Sequence, residues 1–468
     1  MRDFLDKPIF NSRIKEDSVT GKERLLGYFL GPVSVILMNS ILSNYLNVYY
    51  TDVIRLGEVW GGRFLSFFPI VVKLLDALTF ILMGMIVDRF RSRQGIARPW
   101  ILVSAPLLVI SMILLFAVPD GSEWLLVVWI FFSYNLFYSV AYTAYNTCHT
   151  LLVPLSTADL TQRSKLSVLT NMQPMMSGMV VAVLFPTFVV PAMGINKGSW
   201  VTVMTCIAAA AFPCILLEYY FTRERITEAG MRKKTAPEKR SLKEQLRLCM
   251  KSKVWVALMV YLILNHTVGL LANYSTFYYC NWVLGSYNDG RTQALYYTIG
   301  NAPLGLGMIF CRPICKKLGR RNAMAGGFLL AAMGALICFL NPRNLTVVLI
   351  GQAIKSLGLI PSTFMVTAML ADALDDVEAQ TGIRCDGFSS SVYNVIFTVT
   401  TGLAMCILNL GVTQLGYQAP GLDGSIPVQT ELVQNFFTFG AVGAQAFIFP
   451  IIAMVLLRAP DDRKKGIS

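Results

Sequence analysis

Long apolar stretches recur along the whole chain and constrain its fold more than any other feature of the sequence. Each is near or above the roughly 20 residues that an α-helix needs to cross the hydrocarbon core of a bilayer. Hydrophobic residues make up 55% of the 468 residues and charged residues only 14%, whereas soluble domains are about a quarter charged. The pattern predicts an all-α polytopic membrane protein. Its twelve predicted spans lie near residues 25–51, 62–87, 99–119, 124–150, 166–191, 199–221, 254–283, 290–315, 322–340, 345–371, 387–414 and 433–457.

Lysine and arginine are distributed unevenly between the two sides that these spans define. With an inside start, the predicted cytoplasmic segments hold 33 of the 40 basic residues. The outer segments hold Arg55, Arg63, Lys197, Arg291 and Arg343. By the positive-inside rule, both termini are predicted to be cytoplasmic, in a plasma or inner membrane. The formal net charge of +13 then reflects topology and contact with anionic lipid, and we expect no nucleic-acid partner.

The longest polar segment divides the spans into two sets of six. It follows the sixth span and carries the basic run M-R-K-K-T-A-P-E-K-R. Short basic turns stand at matching places, G-M-I-V-D-R-F-R-S-R-Q-G after span two and C-R-P-I-C-K-K-L-G-R-R-N after span eight, as expected of two parallel repeats. The sequence predicts an N-terminal cytoplasmic segment, a six-helix half, a cytoplasmic linker, a second six-helix half and a tail. Their bounds in chain order are 1–24, 25–221, 222–253, 254–457 and 458–468.

Two charges lie inside the second span, in V-V-K-L-L-D-A-L-T-F. Lys73 and Asp76 are three residues apart, so a helix places them on one face and within reach of each other. A charge at the centre of a membrane helix costs roughly 2.5–3.5 kcal/mol, and such residues are usually functional. The K-x-x-D spacing therefore predicts a coupling element, in which Lys73 either holds Asp76 charged or competes with a cation for it.

Polar side chains recur at helical spacing in several spans. Span four has Tyr138, Tyr142, Asn146 and Thr150 with His149 adjacent, span five has Asn171, and span eleven has Asn394 and Thr398. Spacing by four puts each set on one helix face, which turns toward a neighbouring helix or a water-filled cavity. Hydrogen bonds between helices are one interpretation. Several converging stripes favour the other, a polar substrate cavity near the midplane of the membrane.

Three stretches resemble one transporter family. The first is V-Y-Y-T-D-V at the end of span one. The second runs from span two through the following loop, D-A-L-T-F-I-L-M-G-M-I-V-D-R-F-R-S-R-Q-G-I-A-R-P-W-I-L. The third is the loop before span eleven, A-D-A-L-D-D-V-E-A-Q-T-G-I-R-C-D-G-F-S-S-S-V-Y-N. With the twelve-span layout, the chain is identified as a member of the glycoside–pentoside–hexuronide:cation symporters, the melibiose permease-like branch of the major facilitator superfamily. The resemblance implies the major facilitator fold, with two six-helix halves and alternating access.

The resemblance also implies a cation-coupling site. Sodium-coupled members carry two acids four residues apart in span two, assisted by a polar neighbour and a threonine of span four. The matching positions are Asp76, Thr79 and Thr143, and Phe80 stands where the second acid belongs. With one carboxylate, proton coupling, a sodium ion at Asp76 and no coupling are all open alternatives. No other cofactor is expected.

The positions at which the family grips its sugar are neutral here. Asn146, Thr150, Asn171 and Thr398 replace charged or aromatic residues, so we do not expect melibiose as the substrate. A hexuronide would bring a carboxylate for Lys73 or Lys355, although the roles of Lys355 and His266 are left open. The substrate-binding residues predicted from the stripes and the resemblance together are Lys73, Phe80, Tyr142, Asn146, His149, Thr150, Asn171, Asn394 and Thr398.

Two cytoplasmic loops carry the predicted gating residues. Asp88 and Arg89 end span two in the G-x-x-x-D-R pattern of major facilitator transporters, and we interpret them as an interdomain latch. A basic loop that serves topology alone is the alternative. Arg384 and Asp386 lie in the acidic segment before span eleven. That segment is predicted to form ion pairs that close an inner gate, unless it is simply a solvated loop.

These observations predict a secondary active transporter that moves a small organic solute with proton or sodium symport. A glycoside, pentoside or hexuronide is the leading substrate class. The alternatives are a transporter of a less polar, lipid- or steroid-like solute, an uncoupled facilitator, and a non-transporting membrane receptor or scaffold. An enzyme is not expected, because no nucleophile–base constellation occurs and Cys311 and Cys315 lack further metal ligands nearby. We expect a monomer whose partners are the substrate and the lipid bilayer.

Overall fold

The computed structural model describes residues 11–89, 94–225, 242–382, 386–421 and 425–458. Within these ranges the regular structure is helical and no strand occurs. A short helix, Leu242–Cys249, precedes the seventh long helix. The long helices are α1 (Glu23–Val53), α2 (Arg63–Arg89), α3 (Arg98–Phe116), α4 (Glu123–Ser156), α5 (Leu160–Leu184), α6 (Lys197–Tyr220), α7 (Lys253–Leu284), α8 (Arg291–Leu318), α9 (Arg320–Leu340), α10 (Leu345–Thr381), α11 (Asp386–Gln414) and α12 (Glu431–Arg458).

The long helices correspond one by one to the twelve predicted spans. In the described part of the chain, eleven are long and apolar enough to cross a membrane by length and composition. The helix outside that set is α8, which has 28 residues but a more polar sequence. The prediction of an all-α polytopic membrane protein is thereby confirmed.

The chain divides into two compact units. The N-terminal unit comprises Met1–Phe64, Val71–Val181 and Ala192–Pro237, and the C-terminal unit comprises Leu65–Ile70, Ala182–Pro191 and Glu238–Ser468. The first turns of α2 thus belong to the C-terminal unit, where Asn409 of α11 donates a hydrogen bond to the Leu65 carbonyl oxygen at 2.9 Å. The remainder of α2, with Lys73 and Asp76, belongs to the N-terminal unit.

Three buried aromatic side chains hold one end of the N-terminal unit together. The Tyr49 ring of α1 lies 4.9 Å from the ring of Phe116, at the end of α3. The Phe116 ring stacks on Trp200 of α6 with an interplanar angle of 13°. The Tyr49 hydroxyl also donates to the Phe116 carbonyl oxygen at 2.5 Å, which satisfies a carbonyl that the end of α3 leaves without a helical partner.

A buried polar network ties α3 to the end of α6. The Glu224 carboxylate accepts hydrogen bonds from the backbone N–H groups of Ile96, Ala97 and Arg98 at 2.8–2.9 Å. It therefore caps the N-terminus of α3, where a negative charge is favoured by the helix dipole. The Arg98 guanidinium returns two hydrogen bonds to the carbonyl oxygen of Tyr219, at 2.9 and 3.2 Å.

Glycines allow α9 and α10 of the C-terminal unit to pack closely. Gly327 and Gly334 of α9 are seven residues apart, as are Gly351 and Gly358 of α10. A Cβ atom on Gly327 would overlap the carbonyl oxygen of Gly358, and one on Gly334 would lie 2.5 Å from the carbonyl oxygen of Gly351. Small residues at a membrane helix interface permit such backbone approach, and the resulting van der Waals contact replaces the hydrophobic driving force.

Candidate functional site

The two charges of α2 form an ion pair in the N-terminal unit. The Lys73 Nζ atom lies 2.7 Å from Oδ2 of Asp76, and the two side chains are 17% and 13% exposed. The other carboxylate oxygen, Oδ1, accepts a hydrogen bond from the Ser139 hydroxyl of α4 at 2.6 Å. Within the part of the chain that the structure describes, Lys73 and Ser139 are the side-chain partners of this carboxylate, and each takes one of its oxygens.

Two tyrosine rings of α4 also lie close to the Lys73 ammonium. Its Nζ atom lies 4.5 Å from the ring centroid of Tyr138 and 5.6 Å from that of Tyr134. Both distances are within the range of a cation–π interaction. A carboxylate and two aromatic faces therefore surround one ammonium group, a combination that suits an organic cation.

A π-helical stretch within α4 decides which side chains reach Asp76. It covers Leu136–Tyr142, and at its end the Thr143 hydroxyl donates to the carbonyl oxygen of Tyr138, five residues earlier, at 2.8 Å. The predicted stripe assumed regular spacing by four and did not include Ser139. That assumption is wrong in this stretch, because the wider π turn changes the register of the side chains that follow.

The coupling residues implied by the family resemblance provide one carboxylate and two threonine hydroxyls, and both hydroxyls donate to backbone carbonyl oxygens. The Thr79 hydroxyl donates within its own helix to the carbonyl oxygens of Leu75 and Asp76, at 3.0 and 3.1 Å. Phe80, in place of a second acid, is 44% exposed. A hard cation prefers several oxygen ligands, whereas here Lys73 already holds one oxygen of the single carboxylate. A sodium ion at Asp76 therefore stays a prediction, and the single carboxylate that would hold it is already paired with Lys73.

The predicted substrate-binding residues fall into two groups. Tyr142, Asn146 and Thr150 lie on α4, and the Tyr142 ring is 6.1 Å from that of Tyr138, so the stripe adjoins the Lys73 cluster. Asn171 is exposed on α5 of the same unit. In the C-terminal unit, Asn394 is exposed on α11, and the Thr398 hydroxyl donates to its carbonyl oxygen at 2.9 Å. Direct contact of any of these residues with substrate stays a prediction.

His149 lies in a buried cluster that the sequence did not predict. Its Nδ1 atom is 2.7 Å from Oε1 of Glu218 on α6, and the Tyr145 hydroxyl donates to the other carboxylate oxygen. Glu218 is wholly buried. The Tyr145 and His149 rings stack with an interplanar angle of 5°. A lone glutamate near the end of a predicted span gives little signal in the sequence, because it is equally typical of the membrane interface.

The two side chains left without a role lie inside the C-terminal unit. The Lys355 ammonium is buried and donates to Oε1 of Gln445, on α12, at 2.8 Å. The His266 ring contacts the rings of Tyr393 and Phe397 edge-on, with centroid distances of 6.0 and 5.1 Å. Both residues thus link helices of one unit.

Cys311 and Cys315 belong to an apolar cluster of the C-terminal unit. Their sulfur atoms are 4.0 Å apart, and they are buried together with Ala323 and Ile360. Among the residues that the structure describes, no group of three or more metal-ligating side chains occurs.

The predicted gating residues cannot be placed at the level of side chains. Asp88 and Arg89 end α2 and Asp386 begins α11, but their side chains, and the whole of Arg384, lie outside the described residues. Asp376, from the same acidic segment, is buried near the end of α10. It accepts hydrogen bonds from Ser252 and Gln380 at 2.6 and 2.7 Å.

Comparison with known proteins connects this architecture to membrane transport. The chain matches the family described as "MFS/sugar transport protein" over residues 27–460. It is 26% identical to the isoprimeverose transporter of Lactiplantibacillus pentosus, over 87% of this chain and 83% of that protein. It is 25% identical to the glucuronide carrier protein homolog of Escherichia coli K12, over 81% and 80% of the two chains.

A solved transporter shares the fold. The crystal structure of a D-xylose–proton symporter superposes with a TM-score of 0.65 at 13% sequence identity, covering 96% of this chain and 99% of that one. The same architecture is therefore present at an identity too low to carry information on the substrate.

Proposed function

Because this chain belongs to the MFS/sugar transport protein family, we propose that it is a secondary transporter of a glycoside, pentoside or hexuronide. The observation that carries this proposal is the Lys73–Asp76–Ser139 cluster beside the polar face of α4. Charged groups inside a membrane protein are costly and mark pathways for substrate or ions. Here the charged pair, the tyrosines and the amide of Asn146 lie on neighbouring helices of one unit.

The chemistry of this face suits a polyhydroxylated solute. Tyr142 and Asn146 are half-buried and Thr150 is exposed, so the face presents phenol, amide and hydroxyl groups. Such groups both donate and accept hydrogen bonds, and aromatic faces add apolar contact. The names of two relatives, which refer to isoprimeverose and to glucuronide, support the same class of substrate. A hexuronide would in addition offer a carboxylate to the Lys73 ammonium.

We assign Asp76 as the coupling carboxylate of the proposed transporter. It is a half-buried acid of α2 that contacts a second helix through Ser139, so a change at Asp76 alters the α2–α4 contact directly. The relatives include an inner membrane symporter of Escherichia coli K12, 24% identical over 95% of this chain. That name supports symport and placement in an inner membrane, and the cytoplasmic location of both termini is proposed from the distribution of lysine and arginine alone.

Uptake by proteoliposomes tests the proposed function. The purified chain is reconstituted and offered radiolabelled isoprimeverose, a glucuronide, a free pentose and, as a less polar solute, a steroid. We expect saturable uptake of at least one glycoside or glucuronide, and loss of accumulation against a gradient in the Asp76→Asn variant. Uptake of the steroid alone would contradict the proposed substrate class. Undiminished accumulation by Asp76→Asn would remove Asp76 from coupling.

A further inference from the structure

We propose that the Lys73 ammonium takes the place of a metal cation at Asp76, so that transport by this chain is independent of sodium. The inference rests on the proposed function only in that Asp76 is taken as the coupling carboxylate. Of the three alternatives that the sequence left open, it excludes sodium and retains a proton or no coupling ion.

The first argument is occupancy of the carboxylate. Lys73 lies 2.7 Å from Oδ2, and Ser139 donates to Oδ1 at 2.6 Å. A sodium ion at either oxygen would approach a fixed positive charge a few ångströms away. In a partly buried site, that repulsion is screened far less than in water and lowers the affinity for a second cation by on the order of 100-fold or more.

The second argument is the kind of group that surrounds the charge. Tyr138 and Tyr134 present ring faces to Nζ, with centroids at 4.5 and 5.6 Å. Ring faces favour an ammonium group, whereas sodium, like other hard cations, is held by several oxygen atoms. The site is therefore built for an ammonium group.

The third argument is that the side chain four residues beyond Asp76, where a second acid would share its helix face, is apolar. Residues four apart share a face of an α-helix, so an acid at position 80 would add the oxygen ligands that a metal ion requires. Phe80 is 44% exposed there, which leaves room for a smaller acidic side chain. Lys73 and Phe80 thus both lower the affinity of the site for a metal ion, and both must be changed to recover a metal site.

A matched ion pair elsewhere in the chain provides the control. The Lys197 Nζ atom lies 2.5 Å from Oδ1 of Asp120, and these side chains are 31% and 98% exposed. It is also a lysine–aspartate pair at short distance. Asp120 follows the end of α3 and Lys197 begins α6, and at this exposed position solvent screens both charges. Removing its lysine should have no consequence for the response to sodium.

Thermal unfolding of the full-length protein in detergent tests the inference without any substrate. Wild type, Lys197→Met and the double variant Lys73→Met/Phe80→Asp are compared in sodium chloride and potassium chloride at equal ionic strength. We expect no sodium-specific shift for wild type or Lys197→Met. The double variant should gain roughly 2–5 °C at about 100 mM sodium if its new site binds at about millimolar Kd.

Uptake measurements in the same two salts give a second readout. Wild-type uptake should be equal in sodium chloride and in potassium chloride. A wild type that is stabilised by sodium, or that transports only with sodium, overturns the inference. A folded double variant that does not respond to sodium also overturns it. In that case, Lys73 and Phe80 would not be what prevents sodium from binding at Asp76. If no solute of the panel is taken up, the proposed function fails, while the unfolding measurement still decides the inference.

Discussion

At the scale of single residues, the sequence predicted the Lys73–Asp76 pair correctly, because a spacing of three on a helix leaves the two side chains little choice. It could not predict Ser139, whose hydroxyl completes the coordination of Asp76 at 2.6 Å. Ser139 lies outside the stripe with regular spacing by four. Its role follows from the backbone of α4 and from the position of α2, which are tertiary features.

Removal of the Ser139 hydroxyl should weaken transport. A hydrogen bond to a charged group contributes about 1.5–3 kcal/mol, so Ser139→Ala should reduce the initial rate of uptake by roughly 10- to 100-fold. Ser133→Ala is the matched control, because its hydroxyl donates to a carbonyl oxygen of its own helix, that of Ile130. Uptake rates at equal amounts of reconstituted protein check this. Equal rates for the two variants would mean that Ser139 plays no part in the site.

At the scale of secondary-structure elements, contacts between helices depend on features that hydropathy does not record. The π-helical Leu136–Tyr142 stretch positions Ser139 and Tyr138, and the buried Glu218 joins α6 to α4 through His149 and Tyr145. The predicted substrate contact of His149 is untested. Its Nδ1 atom, however, is engaged with Glu218, which favours a role in holding the two helices together.

Loss of the Glu218 carboxylate should destabilise the N-terminal unit. Glu218→Ala leaves the buried Tyr145 hydroxyl and His149 Nδ1 without their acceptor, a cost of about 1–3 kcal/mol for each unsatisfied group. Glu218→Gln retains one acceptor oxygen and should lose less. Glu123, exposed in the first turn of α4, is the control, and Glu123→Ala should cost under about 1 kcal/mol. The thermal midpoints of the three variants give the comparison, and equal midpoints would contradict the contribution of the buried cluster.

Adjacent glycines of α9 test the close packing of α9 on α10. Gly327→Ala would place a methyl group against the Gly358 carbonyl oxygen, whereas a Cβ at Gly326 meets nothing within 4 Å. Overpacking costs about 1–3 kcal/mol, while both substitutions gain similar helix propensity. Gly327→Ala should therefore lower the thermal midpoint and Gly326→Ala should preserve or raise it. The reverse order would show that the two helices can separate at little cost.

At the scale of the whole molecule, membership in a family of transporters confirms the predictions of a secondary transporter and of a chain that is not an enzyme. The all-α, multi-pass architecture was readable from the apolar stretches alone, since a backbone in lipid must satisfy its hydrogen bonds within helices or closed barrels. The side of the membrane on which each terminus lies stays a prediction from the distribution of lysine and arginine.

Fusion proteins test the predicted orientation. A fluorescent protein that folds only in the cytoplasm should be bright when it is joined after Ser468, because 33 of 40 basic residues lie on the side assigned to the cytoplasm. Alkaline phosphatase, which is active only outside the cytoplasm, should be active when it is inserted after Asn196, between α5 and α6. A dark fluorescent fusion at the C-terminus together with an inactive phosphatase fusion at Asn196 would reverse the orientation.

The sequence by itself determined the class of fold, the number of spans, the family and the ion pair in α2. Each of these depends on local periodicity, on composition or on a long motif, and none requires a distant contact. The tertiary structure decided that Ser139 completes the surroundings of Asp76, that Glu218 is buried against His149, and that tyrosine rings enclose Lys73. These contacts join residues 61 to 69 positions apart. Their formation depends on how helices pack and on a local change of helical pitch that no residue pattern specifies.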